Sequence, residues 1–255
     1  KYIGTTGDVY CLSTWVILFL AKLYKVKVIS WTHGLYGNEG FIKKKIKSFY
    51  YNLHYHIMTY GEFGKAQTVK VGISTSKITA IGNSLDSDNY ERLRRKMSLT
   101  NIYQAHFNNL DSTIIYCGRI QKIKKLDMII SVIKSLNSNG IHVNGLFIGA
   151  DVDGVNLKQK AHDYGLDNRI WFYGPCYDER KLAEFFYNSA VCVSPGNVGL
   201  TAIHSLSFGC PVITHDNVSN QMPEFESIRK GITGDFFMEG DQDDLYMKIK
   251  KGPYE

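Results

Sequence analysis

Four stretches of this sequence combine groups able to hold an anion, move a proton or meet a surface. The first is SPGNVGLTAIHSLSFGCPVIT, residues 194–214. A buried-strand pattern ends at Pro195, and a glycine-containing turn leads into a helix opening near Leu200. Free backbone N–H groups at the positive end of a helix make a phosphate site. Gly196 and Gly199, lacking Cβ, let an anion come close. The glycine pair alone reads equally as a tight βα turn. The second stretch is GRIQKIKK, residues 118–125, again after a strand pattern. Arg119 would grip diphosphate oxygens in a fork and Lys124 would add a point charge; alone, the cluster reads as a solvated basic loop. The third is His33, which ends the run KVISWT and opens the loop HGLYGNEG, with Glu39 inside it. The fourth is FIKKKIKSFYYNLHYH, where Lys43, Lys44, Lys45 and Lys47 interleave with Phe41, Ile42, Ile46, Phe49 and Tyr50. Such a helix suits adsorption to an anionic membrane face, or is an ordinary amphipathic helix with a solvated lysine face.

The elements that must carry these groups alternate short β-rich runs with helix-length amphipathic ones, the pattern of βα units on parallel sheets. In the first half strands are expected over 27–32, 56–60 and 78–81, with a helix over 10–24. About three strands leave an open edge and a small core. With Lys1 in place of an initiator Met, the expectation is a first domain that lacks its N-terminal part. Residues 88–109 are polar and helical and read as an inter-domain connection. The second half shows strands over 113–118, 143–149, 170–173, 191–195 and 211–214, with helices between them. The fold class is therefore α/β, with two Rossmann-like doubly wound domains on parallel sheets, residues 1–108 and 109–255, the first incomplete.

The net charge of +6 is uneven. Residues 1–100 hold 15 Lys/Arg against 6 Asp/Glu, a balance of +9, and the remainder hold 15 against 18, a balance of −3. A basic half suits anionic lipid, nucleic acid or a phosphorylated substrate, but no nucleic-acid module is recognisable. Five widely spaced cysteines without CxxC argue against a disulfide framework or structural zinc, and for a reducing compartment. No apolar run approaches the roughly 20 residues of a membrane span. No G-x-G-x-x-G follows a strand, which speaks against a nicotinamide dehydrogenase.

In order, spacing and flanks these stretches resemble family 4 glycosyltransferases, which have the two-domain GT-B fold. The likeness is densest over residues 113–237. A strand-terminal GR…K motif is matched by Gly118, Arg119 and Lys124, and an F-x-G strand end by Phe172, Tyr173 and Gly174. An acidic helix start is matched by Asp178 and Glu179. Over the motif E-G-F-G-L-P-x-x-E-A-M-A-x-G-x-P-V-V this chain reads GNVGLTAIHSLSFGCPVI, so the family's paired glutamates fall on Gly196 and His204. PEFESIRKGITG, residues 223–234, resembles the ending P-E-x-I-x-x-G-x-x-G. In the first half WTHG (31–34) and IGNSLD (81–86) take the places of a strand-end histidine motif and of I-P-N-G-V-D.

The resemblance implies transfer of a glycosyl unit from a nucleotide diphosphate sugar to an acceptor hydroxyl with retained configuration, in cell-surface polysaccharide or glycolipid synthesis. It implies no cofactor and no metal, and no His/Cys cluster stands at ligand spacing. Carried over position by position, the catalytic groups are His33, Arg119 and Lys124, with His33 facing the donor site across the cleft. Donor contacts are implied for Gly118, Gly174, Gly196, Asn197, Val198, Gly199, Leu200, Thr201, His204 and Glu224. His204 would take the ribose or is a core histidine; Asn197 would replace the lost sugar-binding glutamate. Glu224 ranks above Glu226 because it directly follows Pro223, and Glu39 is a candidate for acceptor hydroxyls. Base recognition would come from backbone near residues 173–177. The implied partners are the nucleotide sugar and a sugar or lipid-linked glycan, with no nucleic acid. Residues 41–51 would touch the inner membrane face of a cytoplasmic protein. An inactive nucleotide-sugar-binding module and a GT-B sugar-nucleotide epimerase remain open alternatives.

Overall fold

A computed structural model describes residues 1–252. The chain forms two compact units, residues 1–83 and a second unit from Ser84 onward. In the first unit a parallel sheet runs in chain order: β1 (Tyr2–Thr6), β2 (Lys27–Thr32), β3 (His56–Thr59) and β4 (Ile78–Ala80). Helices α1 (Leu12–Leu23), α2 (Phe41–Asn52) and α3 (Glu62–Lys70) make the crossovers. Each step goes the same way across the sheet, so right-handed crossovers place all three helices on one face. Strand alternation agrees. Val28, Ser30 and Thr32 of β2 and Ile57 and Thr59 of β3 are buried, Val28 and Ile57 packing with Leu18, Tyr50 and Tyr51. The intervening Ile29, Trp31 and Met58 keep part of their surface. Strand β1, absent from the sequence expectation, forms a largely exposed edge.

The second unit holds six parallel strands: β5 (Ser112–Cys117), β6 (Val143–Ile148), β7 (Ile170–Gly174), β8 (Val191–Ser194), β9 (Val212–His215) and β10 (Gly234–Phe237). Their order is β10-β9-β8-β5-β6-β7. The helices are α4 (Ser87–Arg94), α5 (Ile102–Phe107), α6 (Asp127–Ser138), α7 (Leu157–Asp163), α8 (Glu179–Tyr187), α9 (Thr201–Ser207) and α10 (Gln242–Lys251). One core joins Ile129, Ile133, Leu157 and Leu245 to Ile114 and Phe147. The other joins Tyr90, Phe107, Phe185 and Ala202 to Ile115 and Leu146. Both faces of this sheet are therefore covered, α6, α7 and α10 on one side and α4, α5, α8 and α9 on the other. Chain direction across the sheet reverses between β5 and β8, the switch point at which doubly wound sheets bind ligands.

The residues read as a connection fold instead as α4 and α5. Tyr90, Tyr103 and Phe107 anchor them in the second core, so the division lies at 83/84 and not at 108/109. Strand β10 and helix α10 are additions to the expected list. Among the described residues no helix is long and apolar enough to cross a membrane.

Candidate functional site

At the switch point three glycines end three adjacent strands. Gly118, after β5, has φ +149°, and Gly149, after β6, has φ +151°. A Cβ on Gly149 would lie 1.9 Å from the Gly118 carbonyl oxygen, and the Gly149 amide donates to the Gly174 carbonyl at 2.9 Å. Gly149 carries no motif and was missed in the sequence, since a lone glycine after a strand is unremarkable. A short 3-10 turn over Lys122–Lys124 then brings the backbone of Lys124 against the loop after β8. The Gly196 amide donates to the Lys124 carbonyl at 3.0 Å. A Cβ on Gly196 would sit 2.3 Å from the Ile123 carbonyl oxygen and 2.7 Å from Lys124 Cα. The place of the family's first glutamate thus has no room for a side chain. Glycine here serves the close packing of two loops.

That packing sets the position of Lys124. Its ammonium donates to the Asn197 carbonyl at 2.6 Å and to Asn197 Oδ1 at 2.5 Å. Burial pushes its pKa down to about 8, the Arg119 cation pushes the same way, and the Glu224 carboxylate opposes. Arg119, Lys124, Asn197 and Glu224 therefore share one electrostatic neighbourhood. Arg119 is exposed, Glu224 is buried, and Glu226 is exposed. Asn197 holds Lys124, a role distinct from the sugar contact expected of it.

The amide cradle is narrower than expected. The Val198 amide donates to Gln221 Oε1 at 2.9 Å and the residue is buried; a donor phosphate finds no N–H there. Gln221 was missed in the sequence. Its own amide group donates to Thr214 Oγ1 at 2.8 Å and to the His215 carbonyl at 2.9 Å, locking the loop from below. Gly199 adopts φ +56°, and the amides of Gly199, Leu200 and Thr201 meet no acceptor among the described residues. Thr201 Oγ1 donates to the Cys117 carbonyl at 2.8 Å, which ties the start of α9 to the end of β5.

His204 does not face this loop. Its Nε2 lies 3.1 Å from Glu179 Oε2, and its ring stacks on Tyr90 with centroids 5.1 Å apart. Burial pushes the imidazole pKa down, and Glu179 pulls it back. Nε2 is thus engaged by Glu179, and the ring is packed among Tyr90, Phe186 and Phe208. The expectation that the chain has no D-x-D is incorrect: such triplets stand at 86–88 and 151–153, and they use carboxylates to cap their own backbone. Asp86 accepts from the Asn89 amide, and Asp151 from the amides of Asp153, Val155 and Asn156. Among the described residues no group of three His, Cys, Asp or Glu could hold a metal ion.

In the first unit a cavity of about 470 Å³ opens at the carboxyl ends of β1 and β2, with Asp8, Trp31, His33, Tyr36, Lys43 and Tyr60 in its wall. His33 stacks on Tyr60 at 4.6 Å, and Trp31 lies 5.2 Å from the same ring. Gly34, at φ +74°, is required by this turn, since a Cβ would meet the Gly64 carbonyl oxygen at 2.8 Å. Glu39 is not open to an acceptor. Its carboxylate accepts from the amides of Tyr36 and Gly37 and from Lys47 Nζ, each at 2.9 Å, and its side chain is 2% exposed. Burial opposes its charge, but these partners hold its pKa below the usual carboxylate range. Lys47 accordingly leaves the solvated face of α2 and clasps the 34–39 loop, donating also to the Gly34 carbonyl at 3.2 Å.

Residues 100–251 match the family described as glycosyl transferases group 1. No curated protein matches the chain. Among solved structures, Anabaena HepE in complex with UDP is 14% identical with a TM-score of 0.75, over 98% of this chain and 68% of that one. A glycosyltransferase from Rickettsia africae is 18% identical with a TM-score of 0.75, over 98% and 66%. The lipopolysaccharide outer core galactosyltransferase WaaB is 15% identical with a TM-score of 0.72, over 98% and 65%. The chain spans about two thirds of the length of these structures, and the likeness is one of fold, the GT-B type.

Proposed function

This chain belongs to the glycosyl transferases group 1 family, and from that membership we propose a metal-independent, retaining transfer of a sugar from a nucleoside diphosphate sugar to an acceptor hydroxyl. The observation that carries the reading is the Lys124 ammonium, half-buried at the switch point, held by Asn197 and sharing its surroundings with Arg119 and Glu224. As the bond from C1 to the diphosphate breaks, negative charge grows on the leaving phosphate and positive charge on the sugar. Fixed cations and the amides of Gly199 to Thr201 stabilise the first, and they are most effective where water is excluded and reorganisation is small. Glu224 shares the surroundings of Lys124, and we assign it to the sugar side of the donor, while Asn197 holds the cation in place. Gly118 and Gly174 let the backbone approach the nucleotide. His33, in the first unit, is assigned to the acceptor and the transfer centre.

UDP is the first base to test, because HepE is described with UDP and with UDP-glucose. WaaB, a lipopolysaccharide galactosyltransferase by its description, supports a role in cell-surface glycan synthesis. The reaction is placed at the cytoplasmic side of a membrane, with the lysine-rich surface of α2 toward anionic lipid. Calorimetric titration with UDP, GDP, ADP and CMP, without added metal, tests the donor site. Micromolar binding of one nucleoside diphosphate, lost in Arg119→Ala and Lys124→Ala, is the expected result. Binding without turnover of the matching nucleotide sugar would favour an inactive module; no binding would overturn the reading.

A further inference from the structure

Where the glycine-rich motif has its second residue, a glycine, this chain has Asn197, and the structure gives that side chain a task. Two loops meet here reciprocally. The Gly196 amide donates to the Lys124 carbonyl at 3.0 Å. The Lys124 ammonium donates back to the Asn197 carbonyl at 2.6 Å and to Asn197 Oδ1 at 2.5 Å. An ammonium has three N–H donors. With two of them held by one residue, the third has a fixed direction, and the flexible lysine stem loses its freedom to swing. The chemistry of the holder matters as much as its place. An amide oxygen accepts a hydrogen bond but carries no charge, so it anchors the cation without cancelling it. The charged groups that act on Lys124 are Arg119, in its own loop, and Glu224, in the turn over Pro223–Ser227. The first disfavours the ammonium and the second favours it. Asn197 adds no third charge to that balance.

We propose that Asn197 is a positioning residue for the donor diphosphate: it aims the Lys124 ammonium at the anion and, being neutral, leaves that cation its whole charge. The statement rests on the glycosyl-transfer reading and deepens it by giving the donor site a residue that departs from the family motif. Asn197 touches no phosphate itself and acts only through Lys124. A carboxylate in its place would hold the ammonium more tightly and raise its pKa, but would neutralise it toward the diphosphate. A methyl group would leave the backbone carbonyl as the one remaining holder. The ammonium form then loses a hydrogen bond, and its pKa falls. The two substitutions push Lys124 in opposite directions, which a residue that merely fills the loop would not do.

The test uses Asn197→Asp and Asn197→Ala in the whole chain. Asn197 has no positive φ, so both side chains suit its backbone, and circular dichroism should stay unchanged. Carbon NMR of protein labelled at the lysine Cε, with the Lys124 signal assigned by its loss in Lys124→Met, reads the titration without nucleotide. The Lys124 pKa, about 8 in the unaltered protein, should rise in Asn197→Asp and fall in Asn197→Ala. Calorimetry with UDP between pH 7 and 8.5 reads the consequence for the donor. In Asn197→Asp the affinity at pH 7 should be weaker by about tenfold, the worth of one hydrogen bond to a charged group, and should show no slope up to pH 8.5. In Asn197→Ala the affinity should start to fall at a lower pH than in the unaltered protein. Titrations that move the same way in both variants, or in neither, overturn the proposal. So does a UDP affinity indifferent to both. If UDP fails to bind the unaltered protein, the donor reading falls; if it binds and the variants leave it unchanged, this proposal falls alone.

Discussion

The two units are built in opposite ways. In the second, both sheet faces are covered, and the groups near the switch point sit on short loops locked by backbone contacts: Gly149 on Gly118, Gly196 on Lys124, Gln221 under Val198. In the first, helices cover one sheet face, and the exposed surface offers rings, lysines and hydrocarbon. A rigid, covered scaffold is what preorganised charge stabilisation needs. An adaptable aromatic and apolar surface suits a long ligand held by many weak contacts. The sharpest way to break this contrast is Lys124→Ala. Removing one preorganised cationic donor should lower the transfer rate by about 10³-fold. Circular dichroism should stay unchanged. A loss of folded signal together with the activity would show that Lys124 supports the loop packing instead of the developing charge.

The contrast extends to stability. Glu39→Ala leaves Lys47 buried without its carboxylate, a change that costs about 3 kcal/mol when a buried pair is broken. Hydrogen exchange should show amides of the 33–60 region opening about a hundredfold more often, with β5 to β9 unchanged. Equal loss of protection in both units would mean they unfold as one.

What the sequence made legible follows the same division. Strands β5, β6 and β8 read as continuous apolar runs because parallel strands buried on both faces have no polar side to show. Strand β1, five largely exposed residues with a glycine in the middle, has no such run and was invisible. Helices α4 and α5 looked like a linker because their surfaces are polar; Tyr90, Tyr103 and Phe107, with Leu93 and Ile102 beside them, tie them to the core. Within the candidate site, the shared neighbourhood of Arg119 and Lys124 was legible because both lie in the short loop after β5. Gln221, and the Glu39–Lys47 clasp, were not, since each is made by tertiary approach of residues with no motif between them. The partners of the Val198 amide and of His204 Nε2 were hidden for a related reason. A motif tells where the backbone passes, and says nothing of which amide or ring nitrogen another side chain has already taken.

Gln221→Leu probes one of these hidden supports. It leaves the Val198 amide and the Thr214 hydroxyl without their buried partner, a loss of about 2 kcal/mol. Amides of residues 196–200 should exchange about thirtyfold faster. UDP should still bind, because Gln221 touches no proposed ligand group. Unchanged exchange would show that the glycine contacts alone hold the loop.

The smallest expected effect is a pH dependence confined to the second unit. The free Lys124 pKa is pushed down to about 8, chiefly by burial. The ammonium form binds a diphosphate and the neutral amine does not, so affinity for a nucleotide sugar should be flat below pH 7. It should fall as pH rises through 8, by about tenfold at pH 9. The bound anion stabilises the cation and raises the Lys124 pKa in the complex, so binding between the two values takes up a proton. Calorimetry at pH 8.5 in two buffers of different ionisation enthalpy measures that uptake directly. Lys124→Met should bind more weakly, with neither the pH slope nor the proton uptake. A flat nucleotide-sugar profile in the unaltered protein would place the diphosphate away from Lys124.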